Sequence, residues 1–131
     1  MPPFRTLLAL HPLLTLGPSQ HPALIEDLLE SAYASKQGCV DKAIAMISDL
    51  QTSGPECRFL KPLFGAVAEL KSRTADGGAR VYVFRATRSV YGLCRFECKR
   101  EDASDQTLLL WTAEVAAAYG LGRSVLIGED S

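Results

Sequence analysis

Two periodicities divide the chain. In "PALIEDLLESAYASK" the apolar residues Leu24, Ile25, Leu28, Leu29 and Tyr33 recur at helical spacing, and Gly38 closes the segment. A second helical stretch runs from Val40 to about Gln51, with Val40, Ile44, Ile47 and Leu50 along one side and Ser53-Gly54-Pro55 as its stop. The two helices predict an αα-hairpin. Beyond them the period changes to two. A strand is expected over Val67–Arg73, a turn at Asp76-Gly77-Gly78, a second strand over 79–86 and a third over 90–100, joined across Thr87–Ser89. "DQTLLLWTAEVAAAYG" then reads as a last helix, capped by Ser104 or Asp102 and closed by Gly120 as its C′ glycine. At the start, Phe4 to Leu10 reads as a strand. It is followed by the Pro-rich connector "HPLLTLGPSQHP", in which Ser19 offers a helix cap ahead of Pro22. The tail "RSVLIGEDS" fits either a short strand or a docked extension. The predicted order is strand, helix, helix, strand, strand, strand, helix. That is an α+β class: a small, mostly antiparallel sheet with helices packed on one face.

Length and composition narrow this picture. At 131 residues the chain fits one domain, residues 1–131, with 120–131 as a tail. Hydrophobic residues at 47% and charged residues at 22% supply a modest core and exclude a disordered chain. No apolar run reaches ~18 residues, so no membrane-spanning helix is expected. "FRTLLALHPLLTLG" imitates a signal peptide only faintly, because Arg5 is a lone cation and His11 and Pro12 interrupt the apolar run. Of the four cysteines, Cys94 and Cys98 share a predicted strand. Their Cα atoms would lie about 13 Å apart, too far to bridge one another. Their spacing is not that of a zinc pair either. The cysteines read as small buried apolar residues of a cytoplasmic protein.

Charge alters the reading more than composition does. The chain has net charge −1, yet residues 57–100 hold ten Lys/Arg against three acids, so the sheet is basic and the helices are acidic. Along the strands, Val67, Glu69, Lys71 and Arg73 share one face, and Arg80, Tyr82 and Phe84 share one face of the next strand. Cations interleaved with aromatics suit phosphates and bases. The same alternation also suits the solvated side of a half-covered sheet. His11 and His21 lie far in sequence from these cations and read as loop residues, not acid/base catalysts.

The stretch "FLKPLFGAVAELKSRTADGGARVYVFRATRSVYGLCRFECKRED" resembles the RelE/ParE superfamily of toxins from type II toxin–antitoxin pairs, and its RelE and HigB branch most. There a "K-x-L-x-G-x-x-E-L-R"-like step leads to a strand, a turn, a "G-x-R-x-x-Y/F" strand, a hydrophobic strand and a basic step before the last helix. The likeness covers residues 58–119 and is only topological before that. It implies a RelE-like, microbial-RNase-like α+β fold and ribosome-dependent cleavage of mRNA without a metal or cofactor, in which the 2′-OH attacks the adjacent phosphate. By position it implies Lys71, Arg80 and Arg100 as catalytic residues, and Arg73, Tyr82, Arg85, Arg95, Lys99 and Trp111 as RNA-binding ones. Implied partners are a cognate antitoxin, mRNA on the ribosome and a second copy of the chain, with no membrane, in the cytoplasm. The chain departs from the RelE pattern at Glu69, where a lysine is usual, and at Gln106 or Thr107, where a tyrosine is usual. Those departures motivate an alternative, a ParE-like gyrase-targeting toxin or a non-catalytic RelE-fold binder. A third reading is an interaction domain that pairs through an exposed sheet edge.

Overall fold

The computed structural model describes residues 3–13 and 21–128. Its elements run β1 (Arg5–Ala9), α1 (Ala23–Tyr33), α2 (Gln37–Ser53), a 3-10 turn (Gly54–Glu56), β2 (Leu60–Phe64), β3 (Val67–Thr74), β4 (Gly77–Thr87), β5 (Val90–Lys99), α3 (Gln106–Gly120) and β6 (Leu126–Ile127). The class is α+β. All six strands form one sheet in the order β2-β3-β4-β5-β1-β6, antiparallel except where β1 runs parallel to β5. The expected strands are present within a residue or two. The sequence reading missed β2, because Pro62 and a register shift at Pro62/Phe64 break its alternation. Proline is tolerated there because β2 is an edge strand. Of the two readings of the tail, the strand is the one adopted, since Leu126 and Ile127 pair with Ala9 and Leu8.

Helices cover both faces of the sheet, not one as expected. On one face α1 and α2 bury Leu24, Cys39, Ala43, Met46 and Leu50 against Leu70, Val81, Val83 and Leu93. On the other, α3 buries Leu109, Val115 and Ala118 against Val67, Tyr82, Phe84 and Cys94. The side expected to meet phosphates and bases is therefore half core. The phase of α2 is shifted slightly from the expected stripe. Val40 and Leu50 are buried and Ile47 packs against the core as expected, but Cys39, Ala43 and Met46 join them and Ile44 is more than half exposed. A helix lying on a sheet packs closest through small side chains, so Cys39 and Ala43 outcompete the bulkier Ile44 for the inner face. In α1, Leu24 is buried, whereas Leu29 and Tyr33 stay exposed.

The helix ends show how tertiary contacts replace local signals. Asp105, not Ser104 or Asp102, caps α3, its carboxylate accepting from Leu108 N–H at 3.1 Å. The helix runs through Gly120, and the positive φ expected of a C′ glycine falls at Gly122. Ser19 lies outside the described residues, and α1 starts behind Pro22. The start of α2 is held from across the molecule by Asp76, in the β3–β4 turn, which accepts from Gly38 N–H at 2.8 Å. Beyond Leu93 the outer edge of β5 has no strand beside it. Asp27 accepts Phe96 N–H at 3.0 Å and Lys36 Nζ donates to Cys98 O at 3.1 Å, so α1 and the α1–α2 turn satisfy an edge that would otherwise invite strand pairing.

Cys39 and Cys98 form a disulfide that joins the first turn of α2 to the end of β5, with Cα atoms 6.1 Å apart. This corrects the reading of all four cysteines as reduced. The partners are 59 residues apart in sequence, and only the packing of α2 over the sheet brings them together. Cys57 and Cys94 are free and buried, as expected, and burial pushes the Cys57 thiol up to about 11. Thiolates are the reactive form. Unreduced native protein should therefore show no thiol reacting with Ellman's reagent at pH 8. Two should react after unfolding in urea, and four after unfolding with reductant. Four thiols in unreduced, unfolded protein would refute the bond.

Candidate functional site

Register brings the expected cations to one end of the sheet. Lys71 lies opposite Arg80 and Arg80 opposite Glu97, while Gly78 pairs with Arg73 on one side and Lys99 on the other. The loop after β5 folds over this end. The result is a shallow cleft lined by Lys71, Arg73, Arg80, Lys99, Arg100 and Asp102. It holds only about 20 Å³, room for roughly one water. On its far side Lys99 and Arg100 also border an open bowl of about 380 Å³, shared with Ser35, Lys36 and Asp76.

The cations differ in how free they are. Arg80 is 1% exposed and enclosed by carboxylates. Its Nε lies 3.8 Å from Glu69, Nη1 3.6 Å from Glu97 and Nη2 3.0 Å from Asp102. Glu69 is equally buried and accepts from Ser104 Oγ at 2.9 Å. Tyr82, beside them, is fully buried, and its hydroxyl accepts Asp105 N–H at 2.9 Å. Burial raises its pKa. Neither Arg80 nor Tyr82 presents itself to an RNA chain, which corrects the roles the resemblance implied for them in this conformation. An arginine in the middle of a sheet needs anions around it once α3 covers that face. Glu69 and Glu97 supply them, and their pairing with Arg80 is what sequence reasoning missed. The signal was legible in part: Glu97 lies opposite Arg80 in the β4–β5 register, whereas Glu69 lies opposite Tyr82 and reaches Arg80 diagonally.

Lys71 is hydrogen-bonded to Asp102, and that contact holds the Asp102 carboxyl below its usual range. Asp102 itself is exposed and bridges Lys71 and Arg80. Its carboxylate thus stands where a bound phosphate oxygen would meet both cations. Lys99 Nζ is 3.4 Å from Glu97, whose carboxyl is raised by burial against the pull of Lys99 and Arg80. Arg73 and Arg100 are exposed and have no ion-pair partner among the described residues.

The other expected RNA-binding residues lie elsewhere. Arg95 is held by Asp27 through hydrogen bonds of 2.8 and 3.0 Å, which raise its pKa, and its guanidinium lies 5.5 Å from the Trp111 ring. Trp111 also meets His11, at 5.3 Å between ring centroids. Arg85 lies near the opposite end of β4, beside the β4–β5 turn, over Tyr91.

Among the described residues no helix is long and apolar enough to cross a membrane, and no group of three or more His, Cys, Asp or Glu side chains could hold a metal ion. No family model matches this sequence, and no curated protein does either.

Proposed function

We propose that this chain is a RelE-like toxin of a type II toxin–antitoxin pair, an endoribonuclease that cleaves mRNA on the ribosome. The observation that carries this reading is the meeting of Lys71, Arg73, Lys99 and Arg100 at one sheet end, from β3, β5 and the loop beyond, with an open bowl beside them. Exposed Arg73 and Arg100 suit the RNA backbone, because their planar forks match phosphate oxygens. In the reaction the 2′-oxygen bonds to phosphorus and the bond to the 5′-oxygen breaks, leaving a 2′,3′-cyclic phosphate and a 5′-hydroxyl. Lys99 and Arg100 stabilise the charge that develops on phosphorus oxygens. Water takes the 2′-hydroxyl proton and supplies one to the 5′-oxygen as it departs. Arg80 acts from behind as a positioning residue that holds Glu97 and Asp102.

Induced expression in bacteria tests this, with growth and mRNA 5′ ends as readouts and Lys99→Ala/Arg100→Ala as the comparison. Both residues lie at the surface end of β5, so the variant keeps its core. Arrest with in-frame cleavage, absent in the variant, is expected. Arrest with intact mRNA and DNA-damage signalling would point instead to a gyrase target.

One observation favours a second reading, a RelE-fold binder without nuclease activity: Asp102 already occupies the anion position between Lys71 and Arg80. Asp102→Ala should then tighten binding to a short single-stranded RNA several-fold, by removing an internal competitor. Equal affinity of the two proteins would sink the competition.

A further inference from the structure

The sheet outruns the helix that covers it. α2 ends at Ser53 and the chain turns away through Gly54–Glu56, so the far end of that sheet face is left open. The gap is a groove of about 500 Å³ at the opposite end of the sheet from the cation cleft, apart from the proposed nuclease site. Its floor and walls are apolar: Pro55, Leu60, Pro62, Ala68, Ala86 and Tyr91. Ala66 lies at its mouth and is exposed. Two cations complete the lining, Arg85 and Arg88, and no acidic side chain joins them.

Arg85 is placed before any ligand arrives, and Arg88 is exposed beside it. Arg85 Nη2 donates to Arg88 O at 2.7 Å, and its guanidinium lies 5.8 Å from the Tyr91 ring centroid. Arg85 N–H also bonds Ala66 O at 2.9 Å, which fixes the backbone at the groove's rim. Neither arginine has a carboxylate within ion-pair distance among the described residues. Both are exposed, whereas the buried Arg80 and half-buried Arg95 are matched by acids. Two unmatched guanidiniums over an apolar floor complement a ligand with one anionic head and an apolar body.

An extended peptide is the other occupant such a groove invites, through strand addition at the free edge of β2. That edge is poorly suited to it. Pro62 removes an amide donor, and the register shift at Pro62/Phe64 interrupts the ladder that a new strand would copy. We infer that this groove is a binding site for a compact amphiphilic anion, an aliphatic or aromatic body carrying a single carboxylate or phosphate. The body lies on Leu60, Ala68 and Tyr91, and the head meets Arg85 and Arg88. The inference does not depend on nuclease activity.

The test is titration of the full chain with octanoate, followed by amide chemical shifts, with phenyl phosphate as a second anion and octanamide as the neutral control. Octanoate and phenyl phosphate should both shift amides at residues 66–68 and 85–91. Arg85→Gln/Arg88→Gln should weaken octanoate about tenfold while leaving octanamide unchanged, the loss expected for charge-assisted hydrogen bonds. Ala66→Trp, at an exposed position, should abolish both by filling the mouth. Equal affinity for octanoate and octanamide would overturn the anion assignment. Shifts confined to Lys99 and Arg100, or none at millimolar ligand, would overturn the site. An acidic peptide that shifts the β2 edge amides where octanoate shifts nothing would assign the groove to strand addition instead.

Discussion

Replacing Cys39 and Cys98 together by alanine should lower the unfolding free energy by about 4 kcal/mol, the loop-entropy value for a 59-residue separation. Small domains are stable by only about 5–15 kcal/mol, so a change of this size moves the chain a large fraction of the way to unfolding. The bond does more than shorten a loop. It fastens the first turn of α2, where Gly38 N–H reaches Asp76, to the residue that precedes Lys99 and Arg100. Without it the sheet end loses a tether beside its cations. The measurement is urea unfolding of the double variant against oxidised wild type, with wild type in reductant as a third curve. The variant and the reduced protein should share a midpoint well below that of the oxidised form. Coincidence of all three curves would mean that the bond does not form in solution.

The second large effect belongs to Arg80. Arg80→Met should cost about 3–5 kcal/mol, because it leaves Glu69 buried without its cation and Glu97 with Lys99 alone. The interior around them is poorly placed to compensate, since Arg80 Nε and Glu97 Oε1 lack hydrogen-bond partners even in the intact network. The deficit should depend on pH. Glu97 titrates above its ordinary value in the folded chain, so its contribution to stability is full at low pH and is lost as pH rises through the folded value. Arg80 is one of the charges that restrain this rise, and removing it raises Glu97 further. The variant should therefore recover part of its loss between pH 7 and pH 5. Asp102 acts in the opposite sense: its lowered carboxyl makes its contribution fade as pH falls through the folded value, in the variant less than in wild type because Arg80 is gone. Denaturant midpoints at the two pH values check both points. An Arg80→Met protein as stable as wild type at pH 7 would overturn the role of Arg80 as the cation that Glu69 needs. The same experiment bears on function. A loss of toxicity in Arg80→Met would report unfolding where the denaturant midpoint falls and lost positioning of Asp102 where it does not, whereas a loss in Lys99→Ala/Arg100→Ala would report the site.

The sequence by itself determined the order and the extent of most elements. A period of 3.6 set α1 and α2, cap residues and Gly120 marked α3, a period of two set β3, β4 and β5, and Asp76-Gly77-Gly78 set the first hairpin. These signals are local, since the chain's own geometry fixes which side chains share a face. It also placed Lys71, Arg73, Arg80, Lys99 and Arg100 at one sheet end, because hairpin register is nearly forced once the turn is known.

What only the tertiary structure decided is which cations are exposed. Strand alternation says that Lys71, Arg73, Arg80 and Tyr82 lie on a common side, but not that α3 covers part of it. That depends on where a helix fifteen residues long comes to rest, and nothing within β4 encodes it. The same holds for Cys39 with Cys98, for Asp76 at the start of α2, and for Asp27 and Lys36 along β5. Each joins residues far apart in the chain, and such contacts form only when packing has already fixed both ends. Exposure, pairing and the phase of α2 are properties of that packing, which balances all helices against one sheet at once.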